Sequence, residues 1–129
     1  MAKQFEDLEI WQRSRELCKD IYKITNYELF NKDFRFRDQI RASSGSIMDN
    51  IAEGFERNGN KEFIQFLYIA KGSCGETRSQ LHRALDNDYI RKEEFDMLYD
   101  KTLLISKSIL MFIQYLKNAE ITGHKNLKS

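Results

Sequence analysis

The sequence predicts an all-α protein, and more specifically an antiparallel up-down-up-down four-helix bundle. Apolar residues recur at steps of three and four along four segments, which is the spacing of amphipathic helices. Short polar breaks separate the segments, and short links favour an up-down-up-down order. None of the 129 residues is proline, the strongest helix breaker, so long uninterrupted helices are permitted.

Length and charge narrow the class of protein. A chain of 129 residues fits one domain, spanning residues 1–129. Its 21 Lys and Arg residues balance 20 Asp and Glu residues, so no global field draws it to nucleic acid or to a membrane. Without an apolar leader or a membrane span, we expect a soluble, cytoplasmic protein with no membrane partner.

The first predicted helix begins near Glu6 or Asp7 and runs to about Tyr27. Arg15, Lys19 and Lys23 recur every four residues and indicate a solvated flank. The expected core face consists of Ile10, Ser14, Leu17, Ile21 and Ile24, widened by Trp11, Cys18 and Tyr22.

The second predicted helix follows a connection at residues 28–32, with Asn31 as its expected N-cap. The expected core face consists of Phe36, Ile40, Ser43, Ile47, Ile51 and Gly54. A polar seam runs along one edge of that face and should touch a neighbouring helix. It consists of Gln39, Ser46, Asn50, Glu53 and Arg57.

The third predicted helix follows a tight break, in which Gly59 can adopt a positive φ angle and Asn60 is the expected cap. It ends at Asn87 and Asp88. Its expected core face consists of Phe63, Phe66, Leu67, Ala70, Cys74, Thr77, Leu81, Ala84 and Leu85.

The fourth predicted helix has the most regular spacing, and Glu94 is expected to complete a cap in its first turn. Residues 120–129 are expected to fray. The expected core face consists of Phe95, Leu98, Thr102, Ile105, Ile109, Phe112 and Leu116.

Two features predict a second buried surface, and therefore self-association. Leu104, Met111 and Tyr115 form an apolar stripe opposite the core face of the fourth helix. Gly72 and Gly75 interrupt the third helix, flanked by Tyr68 and Ile64 on the side away from the core. Either another helix approaches these glycines closely, or they are tolerated on a solvent face.

The two central helices carry the residues expected to form a polar interior or interface network. Within it, Glu53 and Glu76 should be partly buried and should accept hydrogen bonds from the hydroxyl and amide groups. The set consists of Ser43, Ser46, Asn50, Glu53, Ser73 and Glu76.

No pattern indicates a catalytic, cofactor-binding or metal-binding site, so an enzyme is not expected. The Glu-x-x-His motifs of di-metal bundles are missing, as is a phosphate-binding loop. Cys18 and Cys74 form no Cys-x-x-Cys pair and should be buried free thiols. Neither histidine is spaced to activate a nucleophile.

Nucleic-acid binding is the alternative function. Arg37 and Arg41 on the second helix could cluster with Lys71 and Arg78 on the third, and an oligomer would repeat that patch. Basic rows also interleave with acids on ordinary solvated faces, and Asp38 lies close by.

Several runs resemble a known family, the small bacterial four-helix-bundle proteins of 23S ribosomal RNA intervening sequences. The most specific run is Asn-Ile-Ala-Glu-Gly at 50–54. The others lie at 5–12, 39–42, 46–47, 62–63, 66–67, 69–70 and 72–73, with Glu76 and Tyr89. The fold of this family is similar to that of the accessory variability determinant of diversity-generating retroelements.

The resemblance implies a bundle that assembles into a homo-oligomeric ring, commonly a pentamer, and that serves as a binding module. In the retroelement relative, the ring engages reverse transcriptase and nucleic acid. The leading hypothesis is therefore a non-enzymatic scaffold or adaptor, and the alternative is an RNA- or DNA-binding ring acting with ribosomal RNA or a nucleic-acid-processing partner.

Overall fold

The computed structural model of the chain is built from helices. It describes the backbone of residues 2–57 and 59–128 and the side chains of residues 2–57 and 59–119. No strand occurs within these ranges, which confirms the all-α prediction. The predicted fraying of residues 120–129 lies outside the described side chains. A single-turn 3-10 helix, Phe5–Asp7, precedes α1 (Glu9–Thr25), α2 (Glu28–Lys32), α3 (Phe34–Glu56), α4 (Asn60–Asp86) and α5 (Lys92–Lys128).

The chain enters the bundle through Leu8, which separates the 3-10 helix from α1. Leu8 has extended backbone angles (φ −78°, ψ 126°), and its side chain is buried. Asp7 accepts hydrogen bonds from the backbone N–H groups of Lys3 and Gln4, both at 3.1 Å. Helix α1 therefore begins two to three residues later than predicted, because Asp7 caps the preceding turn and Leu8 turns into the core.

The connection between α1 and α3 contains the short helix α2, which the sequence did not predict. Phe30, in α2, is fully buried and lies 5.2 Å from the ring of Phe36 and 5.0 Å from that of Tyr89. Asp33 then caps α3 by accepting a 3.3 Å hydrogen bond from the Phe36 N–H. The prediction of Asn31 as the cap is wrong because α2 continues past Asn31 before the chain turns.

The turn between α3 and α4 depends on Gly59, which has a φ of 129° as predicted. Gly59 itself occupies the N-cap, and Asn60 is the first residue of α4, so the predicted cap is wrong by one residue. Helices α3 and α4 pack closely near this turn. A Cβ atom on Gly54 would lie 2.6 Å from Cβ of Phe66, so the two helices approach each other at this point as closely as a glycine allows.

The core lies among α1, α3, α4 and α5. Helix α3 packs against α1 and α4, and α4 against α5, whereas α1 and α5 meet over a thinner contact. The predicted core faces are confirmed in outline, with a few corrections. Tyr22 is 47% exposed, Ile64 is buried instead of facing outward, and Gln80 and Ile113 join the core. None of the described helices combines the length and apolarity that a bilayer crossing needs.

Candidate functional site

A buried polar cluster lies in the contact between α3 and α4. The Ser43 hydroxyl lies 2.8 Å from the Thr77 hydroxyl and 2.6 Å from Oε1 of Gln80. The Thr77 hydroxyl also lies 3.0 Å from the carbonyl oxygen of Ser73, to which it can donate. All three side chains are buried, and small hydroxyl residues let the helices approach while their polar atoms stay paired.

A second, half-buried cluster lies one turn away on the same contact. The hydroxyl groups of Ser46 and Ser73 are 3.0 Å apart. The Asn50 amide donates to the Ser46 carbonyl oxygen at 2.8 Å and to its hydroxyl at 2.9 Å. The structure therefore brings together four of the six predicted network residues, Ser43, Ser46, Asn50 and Ser73.

The two glutamates of the predicted network lie outside these clusters. Glu53 and Glu76 are both exposed. Glu53 pairs with Arg57 at 3.4 Å, and Glu76 lines an open polar groove beside Arg83. The expected hydrogen bonds from serine to glutamate are wrong, because the hydroxyl groups bond across the helix contact and the carboxylates point to its rim. Their role at an interface between subunits stays a prediction.

The predicted basic residues of α3 are held against α1 and α2. Arg41 donates from Nε to the Thr25 hydroxyl at 2.8 Å and from Nη2 to Oδ1 of Asn26 at 3.1 Å. Arg37 donates from Nη1 to Oδ1 of Asn31 at 2.9 Å and from Nε to Asp38 at 3.0 Å.

The predicted basic residues of α4 lie elsewhere, beside α5. Lys71 and Arg78 flank the buried Cys74, whose thiol donates a 3.2 Å hydrogen bond to the Thr102 carbonyl oxygen in α5. Burial raises the pKa of Cys74 to about 11, although the charges of Arg78 and Lys71 oppose the shift. The four residues predicted as one nucleic-acid patch are thus divided between two edges of the bundle.

An exposed apolar row follows α5, as the sequence predicted. Leu104 is 45% exposed, Met111 68% and Tyr115 60%. These residues, here called the α5 row, border an open groove between α5 and α1. The groove is also lined by Glu9, Ile10, Gln12, Arg13, Glu16, Lys101, Ile105, Ser108 and Phe112.

The glycines of α4 have room around them within the chain. A Cβ atom on Gly72 would meet no described atom within 4 Å, and one on Gly75 would meet only Nη2 of Arg78, at 3.9 Å. Tyr68, nearby, is 45% exposed and accepts a 2.9 Å hydrogen bond from Lys117. A close approach by a second subunit therefore stays a prediction.

The described residues contain no group of three or more His, Cys, Asp or Glu side chains that could hold a metal ion. An open cavity of about 660 Å³ at the α3–α4 turn is lined mainly by apolar side chains, and Arg57 is the charged residue in its lining. An apolar cavity with one guanidinium provides no acid–base pair. His82 packs against the rings of Phe95 and Tyr99.

The sequence and the fold of the chain are similar to those of known proteins. Residues 6–111 match a family model described as 23S rRNA-intervening sequence protein. Among solved structures, the chain is similar to the crystal structure of a protein of unknown function from the S23 ribosomal protein family of Bacteroides thetaiotaomicron VPI-5482. The TM-score is 0.74 at 28% identity, over 81% of this chain and 97% of that chain. No curated protein matches the sequence.

Proposed function

We propose that this chain, which belongs to the 23S rRNA-intervening sequence protein family, is a non-enzymatic scaffold or adaptor that assembles as a homo-oligomer. The α5 row carries the proposal. Three large apolar side chains with exposures of 45–68% follow one helix, and monomeric proteins rarely leave such contiguous surface in water.

The spacing of the row suits another helix as its partner. Met97, which is 50% exposed, precedes Leu104 and Met111 at intervals of seven residues. Heptad spacing is the pattern of side chains that pack into a neighbouring helix. The open α1–α5 groove provides space for that helix beside the row.

A ring requires that two different faces of each subunit meet, because identical faces produce only a closed pair. We assign the second face to Gly72, Gly75 and Tyr68 on α4, where the open space around Gly72 could receive apolar side chains. The exposed Glu53 and Glu76 would lie at the rim of such contacts. A pentamer, the arrangement that the family resemblance implies, is the assembly we propose.

We also propose the up-down-up-down antiparallel topology for the four long helices. The support comes from the order of contacts between neighbouring helices. Along α3 and α4, Ser43 contacts Gln80, Ser46 contacts Ser73, and Gly54 approaches Phe66. Residue numbers rise on one helix as they fall on the other, as antiparallel neighbours require.

Contacts between α4 and α5 run in the same opposed order. His82 packs on Phe95 and Phe63 on Phe112, between α4 and α5.

A cytoplasmic location is part of the proposal as well, since Cys18 and Cys74 are free thiols, which suits a reducing compartment.

The test is the mass of the protein in solution, measured by light scattering at micromolar concentration, for the wild type and two matched variants. Met111→Glu and Leu29→Glu each add one charge at an exposed residue, since Met111 is 68% exposed and Leu29 is 58% exposed. The two residues lie on different faces of the subunit. We expect the wild type to be oligomeric, Met111→Glu to dissociate, and Leu29→Glu to remain assembled. A monomeric wild type, or an assembly that survives Leu104→Glu combined with Met111→Glu, would contradict the proposal.

Gly72→Ala tests the second face separately. The added methyl meets nothing within its own chain, so helix propensity alone should raise the stability of the subunit by about 1 kcal/mol. If Gly72 lies against a neighbouring subunit, the same substitution should weaken the assembly. An assembly of unchanged affinity would exclude Gly72 from the interface.

A further inference from the structure

Three aromatic rings along the α1–α3 side of the bundle each have a guanidinium group over them. The distances from Cζ to the ring centroid are 5.7, 4.6 and 5.1 Å. The pairs are Arg15 with Trp11, Arg41 with Tyr22, and Arg37 with Phe34, and together they are here called the arginine–aromatic track.

The track is continuous. Trp11, Arg15 and Tyr22 are separated by four and seven residues, which places them on one side of α1, with Trp11 and Tyr22 about 16 Å apart along the helix axis. Arg41 reaches Tyr22 from α3, and Arg37 follows one turn away. Phe34 lies at the start of α3, about 10 Å along that helix from Arg41, so the whole line is about 25 Å long.

Aromatic surface is accessible along this line. Phe34 is 65% exposed and Tyr22 is 47% exposed, whereas Trp11 is half-buried. Each of the two exposed rings lies next to a guanidinium group, whose Cζ is 4.6 Å from the ring centroid of Tyr22 and 5.1 Å from that of Phe34. Paired rings and guanidinium groups offer flat surfaces on which another flat group can stack.

The charge of the track is positive and partly unneutralised. The acceptors that hold Arg41, Thr25 and Asn26, are neutral, so they fix the guanidinium without cancelling its charge. No described carboxylate lies within ion-pair distance of Arg15 or Arg41.

Acidic residues neutralise the track only in part. Asp38 pairs with Arg37 and is itself exposed, so the pair is weak. Asp49 lies near Cys18, whereas Glu16 lines the α1–α5 groove and pairs with Lys19 at 3.7 Å. The three guanidinium groups of the track therefore outnumber Asp38 and Asp49.

We propose that the arginine–aromatic track binds single-stranded nucleic acid. Bases stack on Tyr22 and Phe34, and the guanidinium groups contact the phosphates between them, as in proteins that combine stacking platforms with basic grooves. A length of about 25 Å suits about four nucleotides, the small end of such sites. An acidic peptide would use the cations but would leave the rings without a partner.

The proposal is independent of self-association. The α5 row lies on the opposite side of α1, so a monomer presents a complete track and an oligomer would repeat it. It also replaces the predicted four-residue patch. Arg37 and Arg41 keep their proposed role, with exposed rings as their partners instead of Lys71 and Arg78.

The chain carries its own reporter, because Trp11 is its single tryptophan and belongs to the track. Tryptophan fluorescence is measured while a 12-nucleotide oligouridylate, an oligodeoxyuridylate of the same length, or a duplex RNA is added at about 50 mM salt. We expect quenching by the single strands, weaker binding by the duplex, and a steep loss of affinity as salt rises. A preference for oligouridylate would assign the ligand as RNA, and equal affinities would show that the sugar is not read.

Matched variants separate the track from general charge. Phe34→Ala and Tyr22→Ala should each weaken binding at least about fivefold, whereas Tyr68→Ala, an exposed tyrosine with Lys117 5.3 Å from its ring centroid, should not. Arg15→Ala should weaken binding more than Arg13→Ala, because Arg13 lies on the other side of α1 and pairs with Glu9. Circular dichroism checks that each variant folds.

Three outcomes would overturn the proposal. The first is the absence of quenching by either single strand at about 50 mM salt. The second is equal affinity for the single strands and the duplex. The third is an equal loss of affinity in the track variants and in their matched controls.

Discussion

The hydroxyl group of Tyr89 donates a 2.7 Å hydrogen bond to Oδ2 of Asp33, whose other carboxylate oxygen caps α3. Tyr89 belongs to the connection between α4 and α5, so one carboxylate joins the start of α3 to a loop 56 residues later in the chain. Nearby, the Tyr27 hydroxyl donates to Glu94, in the first turn of α5. The connection between α1 and α3 and the connection between α4 and α5 are therefore each hydrogen-bonded to the start of another long helix.

We predict that Asp33→Ala destabilises the protein by about 0.5–2 kcal/mol, the range for losing an N-cap side chain, measured by urea unfolding. The control is Asp100→Ala, at an exposed position inside α5 and away from its cap. A double-mutant cycle with Tyr89→Phe should show that the two losses are not additive, because they share one hydrogen bond. Simple additivity would show that the Tyr89 contact contributes nothing.

We predict that the Glu94 contact is lost in acid. Partial burial opposes ionisation, but hydrogen bonds from the Arg91 N–H and the Tyr27 hydroxyl hold the pKa of Glu94 below its ordinary value of 4.5. A lowered folded-state pKa stabilises the protein above about pH 4.5 and ceases to do so as pH falls through the lowered value. The stability difference between wild type and Glu94→Gln should therefore shrink between about pH 7 and pH 3. A constant difference would contradict the assignment.

We predict the opposite dependence for Tyr89 at high pH. The hydrogen bond to Asp33 is the main cause that raises the pKa of Tyr89 above 10.0. Its contribution is therefore present below about pH 10 and disappears as pH rises through the raised value. Stability measured by urea unfolding should fall less steeply above about pH 10 in Tyr89→Phe than in the wild type.

We predict that two glycines of α3 respond to alanine in opposite directions. At Gly54, the new methyl would lie 2.6 Å from Cβ of Phe66 and 2.9 Å from Cδ1 of Phe63, so Gly54→Ala should cost about 1–3 kcal/mol of stability. At Gly45, no atom lies within 4 Å of the added methyl, and Gly45→Ala should stabilise by up to about 1 kcal/mol. Similar effects at both positions would mean that α3 and α4 are not closely packed at Gly54.

We predict that Ser43→Ala costs about 1–3 kcal/mol, because the buried Oε1 of Gln80 loses the hydroxyl group that donates to it. Ser79→Ala is the control, since Ser79 is exposed on the same helix pair and should change stability by less than about 0.5 kcal/mol. Thermal unfolding of both variants measures the difference. Equal melting temperatures of the two variants would show that the buried cluster does not stabilise the protein.

The sequence predicts the helices and their core faces well, because burial of a helix face depends on spacing along one segment. Gly59 is predictable for the same reason, since a positive φ angle is a local requirement. Caps are less predictable. Asn31 and Asp33 are both good cap residues, and only the burial of Phe30 in α2 decides between them.

Contacts between helices were the hardest part to predict. Spacing places Ser46 and Asn50 on one edge of α3, but it cannot show that Asn50 bonds to Ser46 while Glu53 is left at the rim. The arginine–aromatic track was missed for a similar reason. The spacing of Trp11, Arg15 and Tyr22 is visible in the sequence, whereas Arg41 joins them only after α3 packs on α1.

The buried thiol of Cys74 makes the opening of the bundle measurable. The thiolate is the form that attacks alkylating reagents, and a thiol with a pKa of about 11 that donates to the Thr102 carbonyl oxygen provides very little thiolate. Alkylation therefore requires α4 and α5 to separate, whereas Cys18 is only half-buried. In a Cys18→Ser background, the rate of Cys74 labelling in native buffer, at reagent concentrations where that rate no longer rises, gives the frequency with which this helix pair comes apart, without any denaturant.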